Sequence, residues 1–485
     1  MKLTLQLSDL FAISPLLILL ISALVLLLIE SFVSHQAKKY SAWLSLAAII
    51  FAMFAAITAP ASENILLTSW LEFDPLARFF TVLFLSIGFV SVCLASSFFE
   101  HFDAPTHGEY YFLLLSALSG LLLIGSSADF LTLFLGIETL SVSLYILCGY
   151  MKNWRFSSEA SLKYFLMSSL ATAFLVYGIA LIYGAAGTTK FSALLPAYQK
   201  INTLSTQTLF LSGAALVTLG LAFKAAIVPF HIWAPDVYDG APTPVTAFMA
   251  VGTKIGAFAA FVRVFMQALH GFNPIWNEGI ALLAYPTLIY ANFVALRQSQ
   301  LRRFFAYSGI SHAGFLLIPL AADMSGGTTE AIPSLLFYLV VYSLATFGAF
   351  AVLAYLDKRS QGVVLFDLYG LFHRSPLQAG ILTVCILTLA GIPPTAGFFA
   401  KLFIFKVAFQ AGYHALVVVG LLTTIISAFY YLRIISVMFS EKSNEKEVYD
   451  YSIPAIFVGV ASAAAIAAIS IYPQPLLSLL LTIGK

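Results

Sequence analysis

Charge is scarce in this sequence, and the scarcity excludes a water-soluble globular protein. Charged residues make up 9% of the 485 residues, whereas about a quarter is typical of soluble domains. Hydrophobic residues make up 61%. The net charge is only +2 and the basic residues are scattered, so nothing indicates nucleic-acid binding. The composition predicts an all-α polytopic membrane protein.

Cysteine is also rare, and each of the three, Cys93, Cys148 and Cys385, stands alone within an apolar run. This spacing gives no disulfide framework, metal pair or haem attachment motif. The glycine-rich stretches lack the strand, turn and helix context of a phosphate-binding loop. We therefore expect no cofactor in this chain, and we expect any redox cofactor to belong to a partner.

Apolar runs of about 20 residues, the length that crosses a bilayer as a helix, fill the chain. The first run is interpreted as a retained span rather than a signal peptide, because Asp9 precedes it and no small-residue cleavage site follows. Fourteen spans are predicted, near residues 11–30, 42–60, 75–97, 110–126, 129–150, 160–183, 206–228, 244–266, 277–296, 303–321, 331–356, 377–411, 412–439 and 452–472.

The basic residues indicate an orientation for these spans through the positive-inside rule. An outside N-terminus places six of them outside, namely Lys2, Arg78, Lys190, Lys200, Arg263 and Lys485. The inside loops then hold thirteen: Lys38, Lys39, Lys152, Arg155, Arg297, Arg302, Arg303, Lys358, Arg359, Arg374, Arg433, Lys442 and Lys446. This excess predicts both termini outside. The other five of the 24 basic residues lie within spans: Lys163, Lys224, Lys254, Lys401 and Lys406.

Lys224 stands in an apolar run and is followed five residues later by a proline. Pro229 has no N–H for the carbonyl of Ala225 and crowds it, so the helix is expected to end or kink just after Lys224. A helix C-terminus favours the ammonium form, whereas burial opposes it, which suits a group that loses and regains a proton. A lysine at the end of an ordinary span, extended to the headgroups, explains the residue equally well.

Three more ionisable residues are predicted near the midplane from the helical rise: Glu138, Lys254 and His312. A buried ion pair seldom adds stability, so Glu138 and Lys254 are predicted to be functional rather than structural. His312 lies among serines and glycines and is either a proton relay or an ordinary core residue. His231, next to the first break, is either a relay or simply a polar group there.

Three residues near span ends have structural explanations. Lys163 has Glu159 four residues before it, which is the usual pairing on a helix surface. Asp129 is predicted to be the N-cap of span five. Lys406 is expected to reach the lipid headgroups.

A second break is predicted at Gly391-Ile-Pro-Pro-Thr-Ala-Gly397, where Pro393 and Pro394 free the carbonyls of Leu389 and Ala390. Lys401 then follows in the outer half of the membrane. Spans four to eight and nine to thirteen form two units of opposite topology, each broken in its fourth span, as in transporters with inverted repeats. The predicted units are residues 1–107 (spans one to three), 108–270 (first repeat), 271–440 (second repeat) and 441–485 (a loop and span fourteen).

Several ordered motifs together resemble a known family. They are Phe134-Leu-Gly-Ile-Glu138, Lys224 with Val228-Pro-Phe-His-Ile-Trp-Ala-Pro-Asp-Val-Tyr238, Gly240-Ala-Pro-Thr-Pro244, Lys254, Tyr307-Ser-Gly-Ile-Ser-His312 and Ala390-Gly-Ile-Pro-Pro-Thr-Ala-Gly-Phe-Phe-Ala-Lys401. The chain resembles the proton-conducting, antiporter-like subunits of respiratory NADH-quinone oxidoreductase (complex I), a family shared with Mrp-type sodium/proton antiporters. Lys401 and the short C-terminal part resemble the paralogue that has lysine there and lacks a lateral helix.

The resemblance implies an outward proton-translocating subunit in the membrane arm of complex I, in a bacterial inner membrane with both termini periplasmic. Its partners would be other membrane subunits, including neighbouring antiporter-like subunits, which together with the rest of the complex would hold NADH, FMN, iron–sulfur clusters and quinone. By motif, Glu138 would partner Lys224, Lys254 would be the central lysine, Lys401 the outer-side carrier, and His231 and His312 polar links. The alternatives are a subunit of an Mrp-type sodium/proton antiporter and a non-conducting membrane scaffold of a redox complex.

Overall fold

The computed structural model of the protein describes residues 7–32, 40–101, 108–269, 273–323, 330–357, 362–440 and 453–483. Thirteen helices in these ranges are long and apolar enough to cross a membrane, and the same ranges hold no β-strand. The prediction of an all-α, multi-pass membrane protein is confirmed.

In the N-terminal part, α2 packs against α3, and α3 packs against the longer helix α5. Only about a fifth of α2 and a third of α3 is buried, because many of their apolar side chains face outward. The helices are α1 (Leu7–Ala12), α2 (Ser14–Phe32), α3 (Ser41–Thr58), α4 (Ile65–Thr68) and α5 (Pro75–His101).

The next part ends in a fully buried span, Thr243–Ala268, in which π-helical turns at Met249–Thr253 and Val264–Ala268 flank α13. Glycine allows close packing between α8 and α10, since a Cβ on Gly178 would stand 2.6 Å from the carbonyl oxygen of Gly213. The helices are α6 (Gly108–Gly125), α7 (Phe130–Cys148), α8 (Arg155–Ala186), α9 (Phe191–Gln199), α10 (Leu204–Lys224), α11 (Trp233–Gly240), α12 (Thr243–Phe248) and α13 (Lys254–Arg263).

The remaining part is built around α15 and α16, whose spans are almost entirely buried. The predicted span 377–411 consists of two helices joined by a turn, and this pair plus the thirteen long helices corresponds to the fourteen predicted spans. The helices are α14 (Asn273–Ala295), α15 (Leu301–Asp323), α16 (Ala331–Leu356), α17 (Leu371–Arg374), α18 (Pro376–Ala390), α19 (Ala396–Gln410), α20 (His414–Met438), α21 (Ile453–Ile471) and α22 (Gln474–Ile483).

Some sequence expectations fall outside the described ranges. These include the chain positions just before 108, just before 273 and just after 440, where the predicted unit boundaries lie. Eight basic residues counted for orientation also lie there: Lys2, Lys38, Lys39, Lys358, Arg359, Lys442, Lys446 and Lys485. Asp129, by contrast, is confirmed as an N-cap, because its carboxylate accepts a hydrogen bond of 2.6 Å from the backbone N–H of Thr132.

Candidate functional site

The first candidate residue stands at an interruption between two helices. Helix α10 ends at Lys224, and α11 begins only at Trp233. Polar side chains form hydrogen bonds with backbone groups that the interruption leaves without helical partners. The indole N–H of Trp233 donates to the carbonyl of Phe223 at 2.9 Å, and the N–H of Val228 donates to the hydroxyl of Thr287 at 3.2 Å.

Lys224 is 8% exposed, and hydroxyl groups surround its ammonium group. The Nζ atom donates to the hydroxyls of Ser141 on α7 and Ser168 on α8, each at 2.6 Å. One turn away along the same two helices, the half-buried Glu138 accepts a 2.8 Å hydrogen bond from Thr172. Glu138 and Lys224, both in described segments, form no direct ion pair.

Lys254 is the first residue of α13 and directly follows a π-helical turn, a local geometry that is frequent at functional positions. Its side chain is 3% exposed. The Nζ atom donates to the carbonyl of Gly309 on α15 at 2.6 Å. The central lysine is therefore held by a neutral acceptor from the second predicted repeat.

His312 lies one turn further along α15 and joins a chain of hydroxyl groups. Its Nδ1 atom is 2.7 Å from the hydroxyl of Tyr338, and its Nε2 atom is 3.2 Å from the hydroxyl of Tyr431. The Tyr431 hydroxyl also bonds to Ser308, the neighbour of Gly309. These hydrogen bonds connect the surroundings of Lys254 with Tyr338 on α16.

Lys401 lies in the second turn of α19 and folds back over the interruption before it. Its Nζ atom donates at 2.8 Å to the carbonyl of Ala390, one of the two carbonyls expected to lose their helical partners. The ammonium also stands 4.7 Å from the ring centroid of Phe315, a cation–π distance. Gly391, at φ 77°, leaves room for this conformation of the Lys401 side chain, because a Cβ there would stand 2.8 Å from Cδ of Lys401.

A small cavity separates His312 from Lys401. Tyr338, Tyr342 and Thr388 complete its polar lining, and it has room for about one water molecule. The geometry thus brings Lys254, His312 and Lys401 into one polar region.

Sequence reasoning missed the hydroxyl groups of this region. Tyr338 and Tyr431 lie inside apolar runs, where a tyrosine looks like any other core aromatic residue.

The polar residues near Lys224, by contrast, follow a pattern that can be seen in the sequence. Glu138 and Ser141 on α7 are three residues apart, and Ser168 and Thr172 on α8 are four apart. Each pair therefore shares a helix face.

His231 does not join the lysines. It is buried at the first interruption and packs against the ring of Tyr290, with ring centroids 4.7 Å apart. Among the described residues, none accepts from or donates to its Nδ1 atom.

The two remaining span lysines are ion-paired. Lys163 contacts Glu159 at 2.8 Å, which confirms the expected pairing, and it also contacts Asp236 of α11 at 3.0 Å. Lys406 was expected to reach the headgroups. In the structure it forms a half-exposed ion pair with Glu330 at 2.7 Å, because Glu330 directly precedes the neighbouring helix α16.

The candidate site therefore consists of three buried lysines, Lys224, Lys254 and Lys401, whose hydrogen-bond acceptors in the described parts of the chain are all uncharged. The described residues contain no group of three or more side chains suited to hold a metal ion. Proton exchange at nitrogen is the chemistry that this arrangement offers.

Comparison with known proteins places the chain in a family. A family model described as NADH:quinone oxidoreductase/Mrp antiporter, TM, matches residues 127–427. NADH-quinone oxidoreductase subunit N of Protochlamydia amoebophila is 59% identical over 480 residues, which is 98% of each chain. The chain belongs to the NADH-quinone oxidoreductase subunit N family.

Solved structures agree with the subunit N family. A chain of respiratory complex I from Thermus thermophilus is 32% identical, with a TM-score of 0.77 over 96% of this chain and 98% of that one. A chain of the Mrp complex from Dietzia has a TM-score of 0.81 over 98% and 97%, but only 20% identity. The Mrp likeness shows the fold alone, so the family resemblance is confirmed at the level of subunit N.

Proposed function

We propose that this member of the subunit N family moves protons outward across a bacterial inner membrane as part of the membrane arm of complex I. NADH oxidation and quinone reduction take place in other subunits, which hold NADH, FMN, iron–sulfur clusters and quinone. The partners of this chain are the other membrane subunits, including neighbouring antiporter-like subunits. The names of the Protochlamydia and Thermus relatives support this assembly.

One observation carries the proposal: Lys224, Lys254 and Lys401 are 8%, 3% and 4% exposed, and no carboxylate of the described residues contacts them. An ammonium group buried without a counter-ion is costly, and intramembrane lysines usually mark ion or proton pathways. A purely structural cation would be paired. These lysines are instead suited to change between charged and neutral forms.

The polar contacts suggest how charge controls the transfer. Loss or movement of the Glu138 charge changes the electrostatic support of the ammonium at Lys224, although no contact links them directly. Ser141 and Ser168 hold that ammonium in place. A proton that reaches Lys254 then meets the hydroxyl chain around His312, and Lys401 releases it beyond the second interruption.

Two further residues have secondary roles in the proposed function. Lys163 serves mainly to hold α11 against α8, because it is ion-paired with both helices. His231 supplies a titratable group at the first interruption and is assigned as an accessory link.

We also infer the inverted repeat, with residues 108–270 and 271–440 as its two units between spans 1–107 and 441–485. The helix order supports it, since the interruption between α10 and α11 and that between α18 and α19 each fall in the fourth span of a unit. The excess of basic residues in alternate loops supports periplasmic termini.

Lys224→Ala tests the function directly. We expect the variant to lose most NADH-driven proton pumping while the complex still assembles, because alanine removes a titrating group and adds no buried charge. Acidification of membrane vesicles and native-gel quantification measure the two properties. Lys406→Ala is the matched control and should pump normally. Near-normal pumping by a fully assembled Lys224→Ala complex would support a non-conducting scaffold instead.

A further inference from the structure

A groove outside the lysine region opens where α2, α3, α5 and α6 begin or end. Its volume is about 80 Å³, and apolar residues such as Ala12, Leu16, Ala56 and Pro60 form much of its wall. Glu72, Asp74 and Arg78 also line it. We call this cavity the N-terminal groove.

Of the three charged residues that line the groove, Asp74 is ion-paired with Arg263, whereas Glu72 and Arg78 are not ion-paired with each other or with other described side chains. Arg78 is exposed, and of its five N–H donors one bonds to the carbonyl of Ala59 at 3.0 Å. The Glu72 carboxylate accepts no hydrogen bond from the described residues, whereas its backbone N–H is fixed by the carbonyl of Ser126 at 2.7 Å. The groove therefore presents one unpaired acid and one unpaired base on an apolar wall.

Asp74, which also lines the groove, differs from Glu72 because its carboxylate is fully paired. Asp74 accepts two hydrogen bonds from Arg263, at 2.6 and 2.7 Å. Burial raises the pKa of Glu72, against the opposing charge of Arg263. A bound cation would favour the ionised form of Glu72 and so gain affinity from it.

The position of the groove indicates the class of its occupant. The start of α2, the end of α3, the start of α5 and the end of α6 all lie at one membrane surface in this multi-pass chain. Leu10, Phe11 and Ile57 are exposed near it, so the apolar wall continues into an exposed apolar surface of the kind that suits contact with lipid chains. An occupant needs an apolar part and, at the interface, both a negative and a positive group.

We propose that the N-terminal groove binds the headgroup of a zwitterionic phospholipid that carries a primary ammonium. The phosphate contacts Arg78, and the ammonium donates to Glu72. A primary ammonium has three N–H donors, which a choline group lacks. An anionic lipid can place its phosphate on Arg78 but has no cation for Glu72. This inference depends on membrane insertion and not on the proton pathway.

Native mass spectrometry of the delipidated full-length chain tests the site. The purified protein is incubated with phosphatidylethanolamine, phosphatidylcholine and phosphatidylglycerol of identical acyl chains. We expect phosphatidylethanolamine to be retained about tenfold more strongly than the other two, which corresponds to one charge-assisted hydrogen bond. Glu72→Gln should abolish this preference, and Arg78→Gln should weaken retention of all three lipids.

Glu330→Gln and Lys406→Gln are matched controls, because they remove an acid or a base that already has a partner at another membrane helix end. Both should keep the wild-type preference. Thermal unfolding of the lipid-free variants establishes that each is folded. Equal retention of the three lipids by the wild type, or an unchanged preference in folded Glu72→Gln, would overturn the proposal. Density for a partner protein in the groove of the assembled complex would overturn it as well.

Discussion

Helix α13 begins and ends with a buried cation, and the two are held in different ways. Lys254, at the start, is 3% exposed and donates to the neutral carbonyl of Gly309. Arg263, at the end, is 0% exposed and forms a two-pronged ion pair with Asp74, plus a hydrogen bond of 2.9 Å to the carbonyl of Gly125. Among the described residues, the arginine has a carboxylate partner, whereas the lysine, which we propose exchanges a proton, has none.

The same division extends over the membrane-spanning part. Lys224 and Lys401 resemble Lys254, since hydroxyl or carbonyl oxygens accept from them. Lys163 and Lys406 resemble Arg263, since each has a carboxylate within 3.0 Å. Under the proposed function, burial alone does not mark a proton-exchanging lysine; burial without a counter-ion among the described residues does.

The choice of residue type fits the division. Arginine stays protonated at every accessible pH and makes two-pronged contacts with carboxylates, whereas lysine can lose its proton. Arg263 thus suits a permanent link between the start of α5 and the end of α13. The unpaired positions all hold lysine.

The largest effect should come from replacing the two ends of α13 by the same residue. Lys254→Met should reduce proton pumping roughly tenfold or more, because it removes a proton-transferring group, while the complex assembles. Arg263→Met should instead lower the amount of assembled complex, because it leaves Asp74 unpaired. Vesicle acidification, normalised to complex content on native gels, measures both.

Equal effects of Lys254→Met and Arg263→Met on assembly and pumping would contradict the distinction between the two cations. If Lys254→Met mainly prevented assembly, or if Arg263→Met assembled fully and failed to pump, the type of acceptor would not separate function from structure.

A smaller effect is expected for the acid near Lys224. Glu138→Gln keeps a side-chain oxygen for Thr172 but removes the charge, so pumping should fall roughly fivefold, as expected for a Coulomb interaction at more than contact distance. Glu138→Asp should retain more activity because its charge remains. Equal turnover of wild type and Glu138→Gln would show that the charge is not needed.

The smallest effect on proton pumping is expected for Asp74, which we expect to influence stability alone. Burial acts to raise its pKa, but the Arg263 guanidinium outweighs burial and holds the pKa below the usual 3.8. The pair therefore stabilises the fold above that pH and loses its effect as pH falls through the lowered pKa. Asp74→Asn should cost roughly 3 kcal/mol at pH 7, with the difference shrinking in acid.

Thermal unfolding of the purified chain between neutral and acidic pH measures this difference. A loss of stability that is the same at every pH would mean that the Asp74→Asn substitution acts through packing and that the ion pair contributes little.

Much of the arrangement could be predicted from the sequence because its causes are local. Proline removes a donor wherever it stands, so the partner lost by Ala390 follows from Pro394 alone. Apolar length gives the spans, and the side-chain oxygen of Asp129 gives a helix start. The candidate lysines followed from charge inside apolar runs.

The contacts of the candidate residues could not be predicted, because they depend on which helices become neighbours. Nothing near Lys224 in the sequence indicates that Ser141 and Ser168 will accept from it, because they come from two other helices. The ion pair of Lys406 with Glu330 and the hydroxyl chain through Tyr338 and Tyr431 are likewise long-range contacts. The sequence therefore indicates which residues can titrate but not which of them have a counter-ion.

The most direct test of proton exchange by unpaired lysines is to compare Lys401→Arg with Lys401→Ala in assembled complexes. Arginine keeps the positive charge but cannot release a proton, so we predict that vesicle proton pumping falls as far with arginine as with alanine. If arginine restores wild-type pumping while alanine does not, Lys401 acts as a fixed charge, and proton exchange at this residue is contradicted.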